Sequence, residues 1–222
     1  MLTRSRLGAR TQLLGIVTEL SNQIRGLMKT FGLVVPKGAG KVFEANVRRL
    51  LEDEKAVSAI VLPLLDAWRA VRAQAADLDR QLLSMVRENA ACRRLMTIPG
   101  VGAVVALSFV TAIETPETFT RSRDVGAWIG LTPRRYQSGE VDYEGHISRR
   151  GDARLRSLLF EAAMAMLTRV RGESDLRSWG LALRKRLGFK RAAVALARKL
   201  AVIMHAMLKT GTDFNPKPAA RP

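Results

Sequence analysis

Chemistry is densest between Arg134 and Arg156. Over that span Arg134, Arg135, Arg149, Arg150, Arg154 and Arg156 flank the pair Ser138-Gly139. A serine that attacks a phosphodiester must be exposed on a small turn, must lose its proton, and must face cations that neutralise charge building on phosphorus. Arginine suits that task because its planar fork grips two phosphate oxygens at once. Each half of this reading has a plainer counterpart. Ser-Gly is above all a turn pair, and arginines that hold a phosphate backbone need no chemistry to do so. By local sequence, Ser138 is a turn residue in a basic setting.

A second phosphate-facing feature is Leu95-Met96-Thr97-Ile98-Pro99-Gly100-Val101-Gly102-Ala103. It reads as a helix end, a Gly-x-Gly hairpin and a new helix, the sequence form of a helix-hairpin-helix. Pro99, Gly100 and Gly102 would let the backbone approach a phosphate, with the free N–H groups of the next helix favouring the anion. Such contacts position a protein on DNA without reading its sequence. A tight interhelical turn is the plain alternative.

Other candidates are weaker. Glu140, Asp142 and Glu144 alternate and would share one strand face, which admits a divalent-cation site, but a solvated acidic face is commoner and no metal ligand is assigned. His146 is near Ser138 in sequence and is considered as a general base without being assigned. His205 lies among Val202, Ile203 and Leu208 and reads as packing. Cys92 is the single cysteine, so neither a disulfide nor a paired-cysteine zinc site forms within the chain.

The surroundings call for a polyanion. Of 222 residues, 37 are Lys or Arg against 20 Asp or Glu, a net charge of +17. The isoelectric point is about 11.3. DNA, RNA and acidic membrane all qualify as partners. No apolar run reaches the length of a membrane span, and the Arg-bearing N-terminus lacks the pattern of a signal peptide, so the expected compartment is the cytoplasm. From Arg121 to Lys199, 18 basic residues stand against 8 acidic ones, so charge concentrates where the motifs lie.

The elements that must position these residues are mainly helical. Leu7, Leu14, Val17, Ile24 and Met28 share the apolar face of a helix over residues 2–30, followed by a loop from Val34 to Gly40. Apolar residues then fall at Phe43, Val47, Leu50, Val57, Val61, Leu64, Trp68, Val71, Ala75, Leu78, Leu82 and Met85, a heptad seam with Glu54 as its polar member. Pro63 inside this seam predicts a break, with a second helix running to Leu95. An antiparallel hairpin within the chain and a coiled coil between subunits both fit. Residues 1–94 thus read as a helical linker and 95–210 as a compact basic domain. Its helices are expected at 103–113, 124–129, 152–170, 174–187 and 190–209, with two short strands around Ser138-Gly139 and Asp152 as a helix cap. Phe119, Trp128, Ile129 and Leu131 are expected core anchors. Residues 211–222, with three prolines, read as a flexible tail.

Several ordered motifs point further. They run from Met96-Thr97-Ile98-Pro99-Gly100-Val101-Gly102 through Phe119-Thr120-Arg121-Ser122-Arg123-Asp124 and Trp128-Ile129-Gly130-Leu131-Thr132-Pro133. Gln137-Ser138-Gly139-Glu140 and Gly145-His146-Ile147-Ser148-Arg149-Arg150-Gly151-Asp152, with Leu155-Arg156, complete them. Together they resemble the C-terminal domain of insertion-sequence 110 family transposases over residues 95–210. The preceding helices, with Asn22-Gln23-Ile24-Arg25-Gly26-Leu27, resemble that family's linker.

The resemblance implies a nucleophilic role for Ser138, covalently linked to DNA during transposition and recombination. It implies insertion-element ends and target DNA as partners, a bridge RNA as guide, and a nucleoid-associated bacterial protein. It also implies an N-terminal RuvC-like domain that binds metal through four acidic residues. Because residues 1–30 already resemble linker, this chain is expected to lack that domain, to hold no cofactor itself, and to meet Mg2+ only through a RuvC-like partner. Three functions follow: DNA strand transfer; a truncated, non-catalytic DNA- or RNA-binding remnant; or a chain that forms homo-oligomers or joins full-length transposases through its heptad helices.

Overall fold

The structure, a computed structural model, describes residues 1–138 and 140–217. The chain divides into two compact units, Met1–Leu82 and Leu83–Pro222.

The first unit contains α1 (Leu2–Thr30), α2 (Lys41–Leu50) and most of α3 (Lys55–Glu88). Its core joins Ile24 and Met28 of α1, Phe43 and Val47 of α2, and Val57, Val61, Leu65 and Trp68 of α3. These residues recur every three or four positions, the spacing that keeps an apolar stripe on one helix face. The Trp68 ring meets Phe43 with centroids 5.3 Å apart. Its indole N–H, buried with the ring, donates to Ser21 Oγ at 2.9 Å. Arg10 of α1 pairs with Asp79 of α3. These two cross-links fix α1 and α3 as antiparallel, because the earlier residue on one helix meets the later residue on the other.

Two expectations for this region change. The helix does not break at Pro63, which sits inside α3. Pro63 and Ala59 are both exposed, so the carbonyl that loses its amide partner faces water. The break falls instead at Leu51–Glu54, where Glu54 interrupts the apolar seam. The antiparallel partner of α3 is accordingly α1, with α2 packed at the end of the pair.

The second unit holds α4 (Ala90–Leu95), α5 (Ala103–Ile113), a 3-10 turn at Pro116–Thr118, α6 (Asp124–Trp128), the strands β1 (Pro133–Ser138) and β2 (Val141–Ile147), α7 (Ala153–Thr168), α8 (Asp175–Leu187) and α9 (Phe189–Thr210). The fold is therefore mainly α with one short β-hairpin. Capping side chains mark several helix starts. Asn89 accepts from the Cys92 amide at 2.9 Å. Asp152 accepts from the Arg154 and Leu155 amides at 2.9 and 3.0 Å, and Ser174 from Arg177 at 3.2 Å. Each satisfies amides that have no partner inside the helix.

The core of this unit is α9, whose Ala193, Leu196, Ala197, Leu200, Ala201 and Met204 are fully buried. Alanines here and at Ala162 and Ala163 of α7 let those two helices pack closely. His205 is also buried, donating or accepting at both ring nitrogens: Nε2 lies 2.8 Å from the Pro116 carbonyl and Nδ1 2.9 Å from Ser122 Oγ. A carbonyl only accepts, so Nε2 carries the hydrogen. This is the packing role read from sequence, and it ties α9 to the loop before α6.

One further expectation is corrected. Ile129 and Leu131 are core, but Phe119 is half-buried and Trp128 remains 42% exposed, its ring resting edge-on against Phe119. The segment after α9 makes two hydrogen bonds to the rest of the unit. The Phe214 amide donates to Thr97 Oγ1 at 2.9 Å and the Asp175 amide to the Pro216 carbonyl at 3.0 Å. Residues 218–222 lie outside the described residues.

Candidate functional site

Thr132-Pro133 and Ser148 open and close a two-stranded antiparallel hairpin whose register pairs Tyr136 with Tyr143, Gln137 with Asp142 and Ser138 with Val141. Gly139 of the Ser-Gly turn lies outside the described residues. All six residues of β1 are exposed. The hairpin owes its order to its own pairings and to its base, since neither face of β1 is covered.

That base is built tightly. The Ser148 amide donates to the Thr132 carbonyl at 2.8 Å and the Arg149 amide to Gly130 at 3.1 Å. Gly130 has φ +80°, and a Cβ there would stand 2.1 Å from the Arg150 carbonyl oxygen. Gly151 has φ +79°, and its Cβ would stand 2.1 Å from the Trp128 carbonyl oxygen. Only glycine permits both the left-handed backbone and the approach. Arg156 locks the two segments together, donating through Nη1 to the carbonyls of Ile129 at 2.8 Å and Arg150 at 3.0 Å.

The candidate cations divide by position. Arg134 donates to the Ser148 carbonyl at 3.1 Å, at the base. Arg149 and Arg150 are exposed there, whereas Arg154 and Arg156 are half-buried at the start of α7. Arg135 reaches across the hairpin to Asp142, Nε to Oδ1 at 2.9 Å and Nη2 to Oδ2 at 2.6 Å. That guanidinium holds the Asp142 carboxyl below the usual carboxylate range. Four residues of strand separate Ser138 from Arg134, about 13 Å at 3.3 Å per residue. The structure therefore gathers Arg134, Arg149, Arg150 and Arg156 at the base and leaves Ser138 at the far end. His146 lies five residues from the Val141 position paired with Ser138, about 16 Å along the strand, beyond proton-transfer reach.

Alternation along the strands sorts the hairpin into two faces. Tyr136, Ser138 and Tyr143 belong to one, Arg135, Gln137 and Asp142 to the other. The two tyrosines stack with centroids 4.9 Å apart and planes 16° apart, and are 44% and 55% exposed. Gly145 makes room for them: a Cβ there would stand 2.8 Å from Tyr136 Cε2. Neither residue belongs to a recognisable motif. The available signal was that the chain has only two tyrosines, one on either side of the Ser-Gly turn.

In the helix-hairpin-helix, Gly100 has φ +89° and packs against α7, where a Cβ would stand 3.0 Å from the Ala162 carbonyl oxygen. Pro99 is half-buried beside it. Gly102, which caps α5, is exposed with nothing within 4 Å of its Cβ position. Gly100 thus serves packing between helices, while Gly102 has the open approach that a phosphate needs.

Among the described residues, no cluster of three or more His, Cys, Asp or Glu could hold a metal ion, and no helix is long and apolar enough to cross a membrane. The side chain of Glu144 lies outside the description.

Residues 92–178, which contain Gly102, the hairpin and its glycine-locked base, match the model of the transposase IS116/IS110/IS902 family. The chain is 35% identical over 208 residues to the transposase for insertion sequence element IS1111A of Coxiella burnetii, covering 90% of this chain and 56% of that protein. The match assigns residues 92–178 to this transposase family. A probable family 20 transposase of Pseudomonas aeruginosa is 32% identical over 213 residues, covering 93% of this chain and 63% of its own length. A pilin gene-inverting protein of Moraxella bovis is 27% identical over 139 residues, covering 62% and 43%. The chain thus spans 56% and 63% of the length of the first two relatives.

Proposed function

We propose that this chain carries out the DNA-joining step of transposition for an insertion element, with Ser138 as nucleophile. Ser138 Oγ gives up its proton and forms a bond to phosphorus, while the bond from phosphorus to one neighbouring sugar oxygen breaks and that oxygen takes up a proton. Attack on the serine–phosphate bond by a sugar hydroxyl of a second DNA end reverses the exchange, joins the new strands and returns a proton to Ser138. The energy of the broken ester is thereby kept in the serine ester.

The observation that carries this reading is the placement of an exposed serine at the end of an uncovered two-stranded ribbon. A ribbon of that width enters the major groove of a duplex. With Ser138 on the scissile phosphate, Arg134, Arg149 and Arg150 would meet phosphates about four base pairs away, at 3.4 Å rise per pair. They anchor the DNA, and Arg156 shapes the loop that presents Arg150. Mg2+ is proposed to reach the reaction through a RuvC-like partner, since among the described residues no group of three or more His, Cys, Asp or Glu could hold a metal ion. A bridge RNA is proposed as the guide that brings DNA ends to the hairpin, in the bacterial nucleoid.

Incubation with insertion-end DNA and Mg2+, with and without guide RNA and a full-length relative, tests the proposal through a denaturation-resistant protein–DNA adduct. The adduct is expected with the native chain and lost in Ser138→Ala, with duplex affinity unchanged. An adduct that survives Ser138→Ala sinks the nucleophile assignment. One observation favours a second reading, a non-catalytic nucleic-acid-binding module: the arginines collect at the base and not around Ser138. Salt-sensitive binding without any adduct in every arm would support it.

A further inference from the structure

We propose that Tyr136 and Tyr143 form a stacking platform for an unpaired base of single-stranded DNA next to the phosphate that Ser138 engages. The inference rests on the proposed DNA-joining role, and its own ground is geometric. The two rings are parallel to within 16°, exposed, and on the same face of the hairpin as Ser138. One face of the Tyr143 ring meets Tyr136, and Tyr143 is the more exposed of the two at 55%. An aromatic face of this kind accepts any base, because every base has a π-face.

Position decides the ligand. Along β1, Tyr136 is two residues from Ser138, about 7 Å. That is the scale on which a base sits from its own backbone phosphate, so one nucleotide can stack on Tyr143 while its phosphate reaches Ser138. The exposed Arg149 and Arg150 supply backbone-neutralising charge further along. Breaking and joining a strand is eased when the bases at the joint leave the duplex stack, and a damaged, mismatched or single-stranded base costs least to place. The Arg135–Asp142 pair holds the opposite face of the hairpin in register, leaving the tyrosine face for the base.

A cross-strand aromatic pair also stabilises a hairpin, so the variants must separate the ring from the strand. Tyr143→Phe keeps the ring; Tyr143→Ile keeps a strand-forming side chain that packs against Tyr136 but offers no π-face. The probe is a short single-stranded DNA carrying 2-aminopurine, whose fluorescence is quenched on stacking, compared with the matched duplex and with single-stranded RNA of the same sequence. The full chain and Tyr143→Phe are expected to quench the probe and bind single-stranded DNA alike. Tyr143→Ile is expected to lose the quench and about tenfold in single-strand affinity, with duplex affinity unchanged.

Equal quenching by Tyr143→Ile overturns the platform. So does a loss of duplex affinity as large as that for the single strand, which would mark a general collapse of the hairpin. Tighter binding and stronger quenching with the RNA would overturn the choice of DNA. None of these outcomes depends on adduct formation, so failure of the nucleophile assignment is read separately.

Discussion

At the residue scale, the Arg135–Asp142 pair sets the electrostatics of one hairpin face. Because Asp142 has its proton affinity lowered in the folded hairpin, the bridge adds to hairpin order at pH values above the ordinary carboxylate range. The contribution is lost as pH falls below about 4 and through the lowered value. An NMR titration of the Asp142 carboxyl should therefore show an acid-shifted midpoint that returns to the ordinary range in Arg135→Ala. An unchanged midpoint in that variant would mean that the guanidinium is not the cause. Cys92 is the converse case, a thiol that burial pushes up to about 11. Its thiolate fraction at pH 8 is small, so a disulfide-exchange reagent should modify the native protein about a hundredfold more slowly than the unfolded chain. The sequence had identified the arginines by type but not by job. Arg156, a phosphate-ligand candidate in the sequence, uses its Nη1 on two backbone carbonyls 27 and 6 residues away.

At the element scale, what sequence made legible was periodicity and caps, and what it hid was long-range approach. The helices from Ala103 to Thr210 follow from apolar spacing, with Asp152 and Ser174 marking their starts. Pro63 misled because the cost of proline in a helix depends on which way the orphaned carbonyl faces, and a single sequence does not show that face. Pro63→Ala should restore an amide to an exposed helix turn and stabilise the first unit by about 1–3 kcal/mol, read as a higher denaturant midpoint. A drop in that midpoint would show that the proline relieves another strain. The glycines make the same point. Gly151→Ala must accommodate a Cβ at 2.1 Å from the Trp128 carbonyl oxygen and a positive φ, and should destabilise the hairpin base by about 3 kcal/mol. Gly102→Ala meets nothing within 4 Å and should leave stability within about 0.5 kcal/mol of the native chain. If the Gly102 backbone approaches a phosphate, the same change still lowers duplex affinity. Denaturation and binding measured on both variants separate packing glycine from contact glycine.

At the scale of the whole molecule, charge is distributed unevenly between two units of different character. Residues 83–222 carry 24 basic and 12 acidic residues, a net charge of +12, against 13 and 8, or +5, for residues 1–82. In the first unit several of those charges are already paired within the fold, as in Arg10–Asp79, Arg48–Glu44 and Arg69–Glu44. In the second unit Arg134 and Arg135 lie on an uncovered ribbon, with the exposed Arg149 and Arg150 at its base. Polyanion binding should therefore map to one unit. Hydrogen–deuterium exchange of the full chain with duplex DNA is expected to protect the amides of residues 130–151 and those around Gly102, while α1 and α2 exchange as in the free protein. The protection should fade as salt rises, since displaced counterions drive the association. Protection spread evenly over both units would assign the helical region a direct share in DNA binding. Protection confined to α1, α2 and α3 would remove the hairpin from the interface and with it the reason for placing Ser138 at a phosphate.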